Sequence, residues 1–132
     1  MALAFALLAA GALTGGCGSA SKAPKTAMSW GATVQRVGEA WLHDEVPHAY
    51  AERTARTARE TLEQQRKSVH SHGDDITNSA AFSERLDALI AGVHRVEEAL
   101  GQRNRDGVFR AIGEVQTITR AIAPWARAGG GA

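Results

Sequence analysis

Apolar residues recur along this chain at helical spacing in four blocks, separated by short polar breaks. The clearest block is Phe82, Leu86, Leu89, Val93, Val96 and Leu100, whose steps of 4, 3, 4, 3 and 4 put every member on one stripe of a helix. Val108, Ile112, Val115, Ile118 and Ile122 repeat the pattern, and Pro124 closes it, because proline lacks the N–H that a helix interior needs. Asn104, Asp106 and Gly107 supply turn chemistry between the two blocks, which predicts an antiparallel hairpin. Asn78 or Ser79 is placed to cap the earlier helix with a side-chain oxygen, and Gly101 to end it.

The first half is built from smaller residues. Trp30, Val34, Val37 and Trp41 form one stripe, interrupted by Pro47, which suits the first turn of a new helix. Ala51, Ala55, Ala58, Leu62, Gln65 and Val69 form the next, with Tyr50 thickening one end. Alanines on that stripe predict a close approach by a neighbouring helix. A polar break from His70 to Asn78, containing Gly73, precedes the third block. Short connections favour antiparallel neighbours, so the fold class is all-α, an up-down four-helix bundle. A three-helix bundle with its first helix kinked at Pro47 is the alternative. Each large aliphatic side chain buried in such a core contributes about 1.5–3 kcal/mol, so no metal or disulfide is needed to hold it.

The chain opens differently. Met1 to Leu13 is an apolar run, shorter than the roughly 20 residues that span a bilayer. Thr14-Gly15-Gly16 follows, then Cys17, the single cysteine, then Gly18, Ser19, Ala20 and Ser21. This arrangement resembles the signal of bacterial lipoproteins. The resemblance implies a signal peptide over 1–16, and lipidation of Cys17 as the new N-terminus. After the lipidated cysteine, small and polar residues predict a flexible tether, over 17–25 in all; the helical pattern predicts a bundle domain over 26–127, and Ala-Gly-Gly-Gly-Ala a disordered tail over 128–132. The resemblance places the protein in the cell envelope, periplasmic or extracytoplasmic, joined to the membrane through acyl chains on Cys17. Gly18, standing where an Asp would retain the protein at the inner membrane, implies the outer membrane in a Gram-negative cell. An ordinary secretory signal, or an apolar N-terminal helix with a buried thiol, are the alternatives.

Charge changes the picture little. The 15 Lys and Arg and 14 Asp and Glu leave a net charge of +1. Nucleic-acid binders show a basic stripe, and none is present, so nucleic acid is not an expected partner. Arg53, Arg56, Arg59, Arg66 and Lys67 come nearest, but Glu52, Glu60 and Glu63 are interleaved with them, as on a solvated helix face.

Candidate chemistry is sparse. His70, His72, Asp74 and Asp75 offer imidazole and carboxylate donors around Gly73 and could take a divalent metal. The competing reading of these residues is structural: histidine favours a helix C-terminus and aspartate a turn. His43, Asp44 and His48 flank Pro47, at the end of an up-down bundle opposite the His70 loop, so the two groups should not converge. His94 falls beside Val93, at the margin of the core stripe. No glycine-flanked serine elbow or HExxH motif occurs, and Glu97 and Glu98, being adjacent, face different ways. No catalytic residue is assigned.

The stretch from Phe82 to Arg127, an apolar helix, an Arg-Asp-Gly turn and an Ala/Ile-rich last helix, is similar to the C-terminal hairpin of the periplasmic four-helix cytochromes, the c-prime type and its b-type relatives. That resemblance implies an exported bundle of about this size. Those families bind haem through a histidine of the last helix, and here Thr119, Arg120, Ala121, Ile122 and Ala123 stand there instead. Met28 occupies the region of the b-type proteins' other axial ligand, but no haem is expected. The sequence therefore leads to a non-enzymatic envelope lipoprotein that offers a helical surface to a protein partner. Trp30 and Trp41 are expected in the core, and Trp125 exposed as an anchor for the partner. The alternative is a periplasmic metal-binding or metal-sensing protein.

Overall fold

Pro24 sits in the first turn of a helix, where its missing N–H costs nothing, and Pro47 stands immediately ahead of the next. The computed structural model describes residues 22–72 and 75–130, and in it four helices follow from these starts. They are α1 (Ala23–Leu42), α2 (His48–His72), α3 (Ser79–Gly101) and α4 (Arg105–Gly130). Among the described residues there is no strand. The helices pack in ring order, α1 against α2, α2 against α3, α3 against α4 and α4 back against α1, with α1 and α3 meeting across the diagonal. This is the four-helix bundle, and Pro47 separates two helices rather than kinking one.

Turn chemistry explains two of the three connections. After α1, Asp44 takes a left-handed conformation (φ 59°), its N–H reaching Trp41 O at 3.0 Å and the N–H of Glu45 reaching Ala40 O at 2.7 Å. After α3, Arg103 does the same (φ 53°), with its N–H on Leu100 O at 2.9 Å and that of Asn104 on Ala99 O at 2.9 Å. Both are Schellman closures, which satisfy carbonyls a helix end leaves open. Gly101 is the last residue of α3, as expected, but the left-handed position falls two residues later, on an arginine. Asn104 then caps α4, its Oδ1 accepting from the N–H of Gly107 at 2.9 Å. Asp106 and Gly107, expected in the turn, therefore lie in the first turn of α4. The expected side-chain cap on α3 is not made: Asn78 stands at the cap position, left-handed (φ 56°), and makes no capping bond.

Phe82, Leu86, Leu89, Val93, Val96 and Leu100 are all fully buried, as their spacing predicts. The alanine stripe of α2 is also buried, through Ala51, Ala55, Ala58, Leu62 and Val69. In α1 the buried line runs through Ala23, Ala27, Gly31, Val34, Gly38 and Trp41, while Trp30 and Val37 sit half-buried beside it. The glycines mark a close approach of α1 to α4. A Cβ at Gly38 would fall 2.6 Å from Ile112 Cγ2, and one at Gly31 would overlap Thr119. Close approach was expected at α2, and glycine, smaller than alanine, places an especially close one between α1 and α4.

Both ends of the folded region run beyond the expected limits. α1 starts at Ala23, inside the stretch assigned to the tether, because Ala23 and Pro24 are buried against the bundle. α4 continues through Pro124 to Gly130, into the expected tail. Trp125 and Ala126 pack on the core beyond the proline, and that burial outweighs one lost backbone bond. Tyr50 does not thicken the core; it is exposed at the start of α2. No described helix is long and apolar enough to cross a membrane. Cys17, the expected lipidation site, lies outside the described residues.

Candidate functional site

The last turn of α2 carries His70 and His72, both exposed. Residues two apart on a helix point to nearly opposite sides, so the two imidazoles do not face one another. Asp75 is exposed within the connection to α3, and Asp74 lies outside the described residues. Among the described residues, no group of three or more His, Cys, Asp or Glu stands close enough to hold a metal ion.

At the opposite end the structure assembles a cluster around the α1–α2 turn. The Trp41 indole N–H donates to His48 Nδ1 at 3.1 Å, and the rings lie 5.8 Å apart at 53°. An indole nitrogen can only donate, so Nδ1 accepts and the ring proton sits on Nε2, which faces Glu52 Oε1 at 3.4 Å. Arg105, from the first turn of α4, lies over the Trp41 ring at 5.7 Å, donates to the Leu42 carbonyl and stands 3.8 Å from Asp44 Oδ1. This arginine ties the α3–α4 turn to the α1–α2 turn. His43 is exposed and takes no part among these contacts. His48 and Glu52 stand one helical turn apart on α2, but Trp41 meets His48 only across the break between α1 and α2; Arg105 is 63 residues from Leu42, and no local pattern points to it.

Charged residues of α2 and α3 form a second constellation. Arg59 Nε donates to Glu97 Oε1 at 2.6 Å, and its guanidinium also reaches Glu63 at 3.4 Å; Arg56 approaches Glu97 at 3.5 Å. Partial burial opposes the charge on Glu97, but the Arg59 hydrogen bond and the fields of Arg59 and Arg56 prevail and hold its carboxyl below the usual glutamate range. The same bond to Glu97 raises the Arg59 guanidinium further. Two turns on from Arg59, Arg66 meets Asp87 at 3.5 Å. The arginine-rich face of α2, expected to be merely solvated, is thus in part an interhelical clamp. Glu97 faces α2 while Glu98 stands exposed beside His94, which is itself exposed.

Among the described residues the surface carries open grooves, one of about 310 Å³ beside Arg59, Arg66 and Ile90, another of about 260 Å³ between α3 and α4 beside Glu98, Asn104 and Arg110. Both are walled by charged side chains largely engaged with one another. The interior is filled by aliphatic side chains with Phe82 and Trp41; Thr119 is the buried polar residue among those described, and its hydroxyl donates to Val115 O at 2.7 Å.

Trp125 is not the exposed anchor expected. It packs against Phe82, with ring centroids 5.8 Å apart, and its indole N–H donates to Thr77 O at 2.9 Å. The large apolar residues that are exposed are Phe109 (69%) and Tyr50 (52%). They occupy the second turn of α4 and the first turn of α2, at the end bearing the Trp41 cluster. Phe109 follows a buried Val108, and its exposure was open to a reading of helical phase. Compared with known proteins, the chain matches no family model, no curated protein and no solved structure.

Proposed function

We propose that this protein is an envelope lipoprotein without catalytic function, in which a self-sufficient helical bundle is carried on a lipidated Cys17 and presents its surface to a protein partner. The observation that supports this reading is the division of labour between inside and outside. The interior is closed by aliphatic side chains, and the polar groups of the surface are spent on clamps between helices, such as Arg59 with Glu97 and Arg105 with the Leu42 carbonyl. Phe109 and Tyr50 are left as apolar anchors at the end remote from the start of α1, where a partner could be reached away from the membrane. The small residues around Cys17 support the anchor.

Mass measurement of the protein from its own cell tests the anchor: a chain beginning at an acylated Cys17 is expected, and an intact Met1 or a bare Cys17 overturns it. A photo-crosslinking residue at Phe109 or Tyr50 tests the partner. A discrete protein adduct is expected there and not at Arg36, whereas equal labelling at all three removes the surface. Calorimetric titration with zinc, copper and nickel tests the metal-binding alternative. Tight binding lost in a His70→Ala/His72→Ala double variant would replace the present reading.

A further inference from the structure

The three lysines of the chain, Lys22, Lys25 and Lys67, are separated by up to 45 residues, yet the fold brings them to one end. In an up-down bundle the start of α1, the end of α2, the start of α3 and the end of α4 share that end. All three lysines are exposed there, with Arg127 of the last turn of α4 and the imidazoles of His70 and His72. No ion pair among the described residues engages these lysines or Arg127. The carboxylates of this end are Asp75, Glu84 and, outside the described residues, Asp74. At the opposite end the balance reverses: segments 39–53 and 97–110 hold seven carboxylates and four guanidiniums. Charge is therefore polarised along the bundle axis.

We infer that the lysine-bearing end seats on anionic phospholipid headgroups, so that the bundle stands on its α2–α3 connection with the acidic end turned outward. The inference rests on the lipid anchor proposed for Cys17. From Cys17 to Lys22 the chain reaches at most about 18 Å when extended. The opposite end lies one helix length further, about 35 Å. An anchored chain thus holds the lysines over the lipid, where a negative surface attracts them and repels the acidic end. Tethering raises the local concentration of the surface, so a contact too weak to recruit a free protein suffices to orient this one.

The test uses the chain from Cys17 onward, which contains every core residue from Ala23 to Ala126. It is coupled through Cys17, its single thiol, to maleimide lipid in vesicles of phosphatidylcholine, alone or mixed with phosphatidylglycerol. Because lysines lie only at one end, acetylation followed by peptide mass analysis reads that end by itself. On the anionic vesicles acetylation of Lys22, Lys25 and Lys67 should slow about five-fold, the effect of one net cation held near such a surface. Modification of Arg53 and Arg103 by phenylglyoxal should not change. High salt should abolish the protection, and Lys67→Glu/Arg127→Glu, both at exposed positions, should reduce it at Lys22 and Lys25. Equal acetylation on the two vesicles, or equal protection of both ends, overturns the inference. Chemical coupling makes the result independent of native lipidation, which the mass of the native N-terminus tests separately.

Discussion

Gly31 of α1 lies against Thr119 of α4 so closely that a Cβ on the glycine would meet the threonine's Oγ1, Cβ and Cγ2 together. Rotating the threonine side chain cannot clear the overlap, because all three atoms stand within reach and Oγ1 is held by Val115 O. Gly31→Ala should therefore push α1 from α4 and cost about 1–3 kcal/mol, the usual range for overpacking. Gly113 provides the contrast, since nothing lies within 4 Å of its would-be Cβ. Gly113→Ala should raise stability by about 0.5–1 kcal/mol through helix propensity alone. Urea unfolding of the two variants checks both signs.

Arg103 closes α3 in a left-handed conformation that costs an L-residue about 1–2 kcal/mol. Glycine removes the steric term and adds unfolded-chain entropy, so Arg103→Gly should stabilise by a net amount of about 0.5–1 kcal/mol. Asp44→Gly should gain less, because aspartate tolerates this region better and Asp44 stands near Arg105. Melting temperatures decide between them.

The carboxyl of Glu97, with a side chain 17% exposed, is held below its ordinary range in the folded state. Its clamp with Arg59 therefore contributes stability that is fully present above the unfolded glutamate value of about 4.3. That contribution is lost as pH falls through the lower folded value. Glu97→Gln should melt lower than the parent at neutral pH, and the gap should close in acid. Thermal melts between neutrality and strong acid would show it; a gap constant with pH would count against the clamp.

Trp125 keeps α4 helical past Pro124. Trp125→Ala should cost about 2 kcal/mol, less than the 3–5 kcal/mol of a fully buried aromatic because the ring is only half-buried. Amide exchange should then quicken from Trp125 onward, with the helix ending near Pro124. Trp125→Phe should retain most of the packing and lose the bond to Thr77 O, at about 1 kcal/mol.

Helical periodicity alone reached the four helices, the α2, α3 and α4 stripes and the split at Pro47. Those features depend on which residues can leave water together, and spacing along a chain records that directly. The separation of the His43–His48 turn from the His70 loop followed from counting helices. Spacing could not weigh one contact against another. Pro124 reads as a stop until Phe82 is seen to hold Trp125, and spacing does not single out Gly31 and Gly38 until Thr119 and Ile112 are seen against them. The Arg105 clamp on Trp41 and Leu42, and the gathering of Lys22, Lys25, Lys67 and Arg127 at one end, join residues remote in sequence. Only packing the helices side by side sets such distances, because a local pattern specifies which face of a helix is apolar and not which helix comes to cover it.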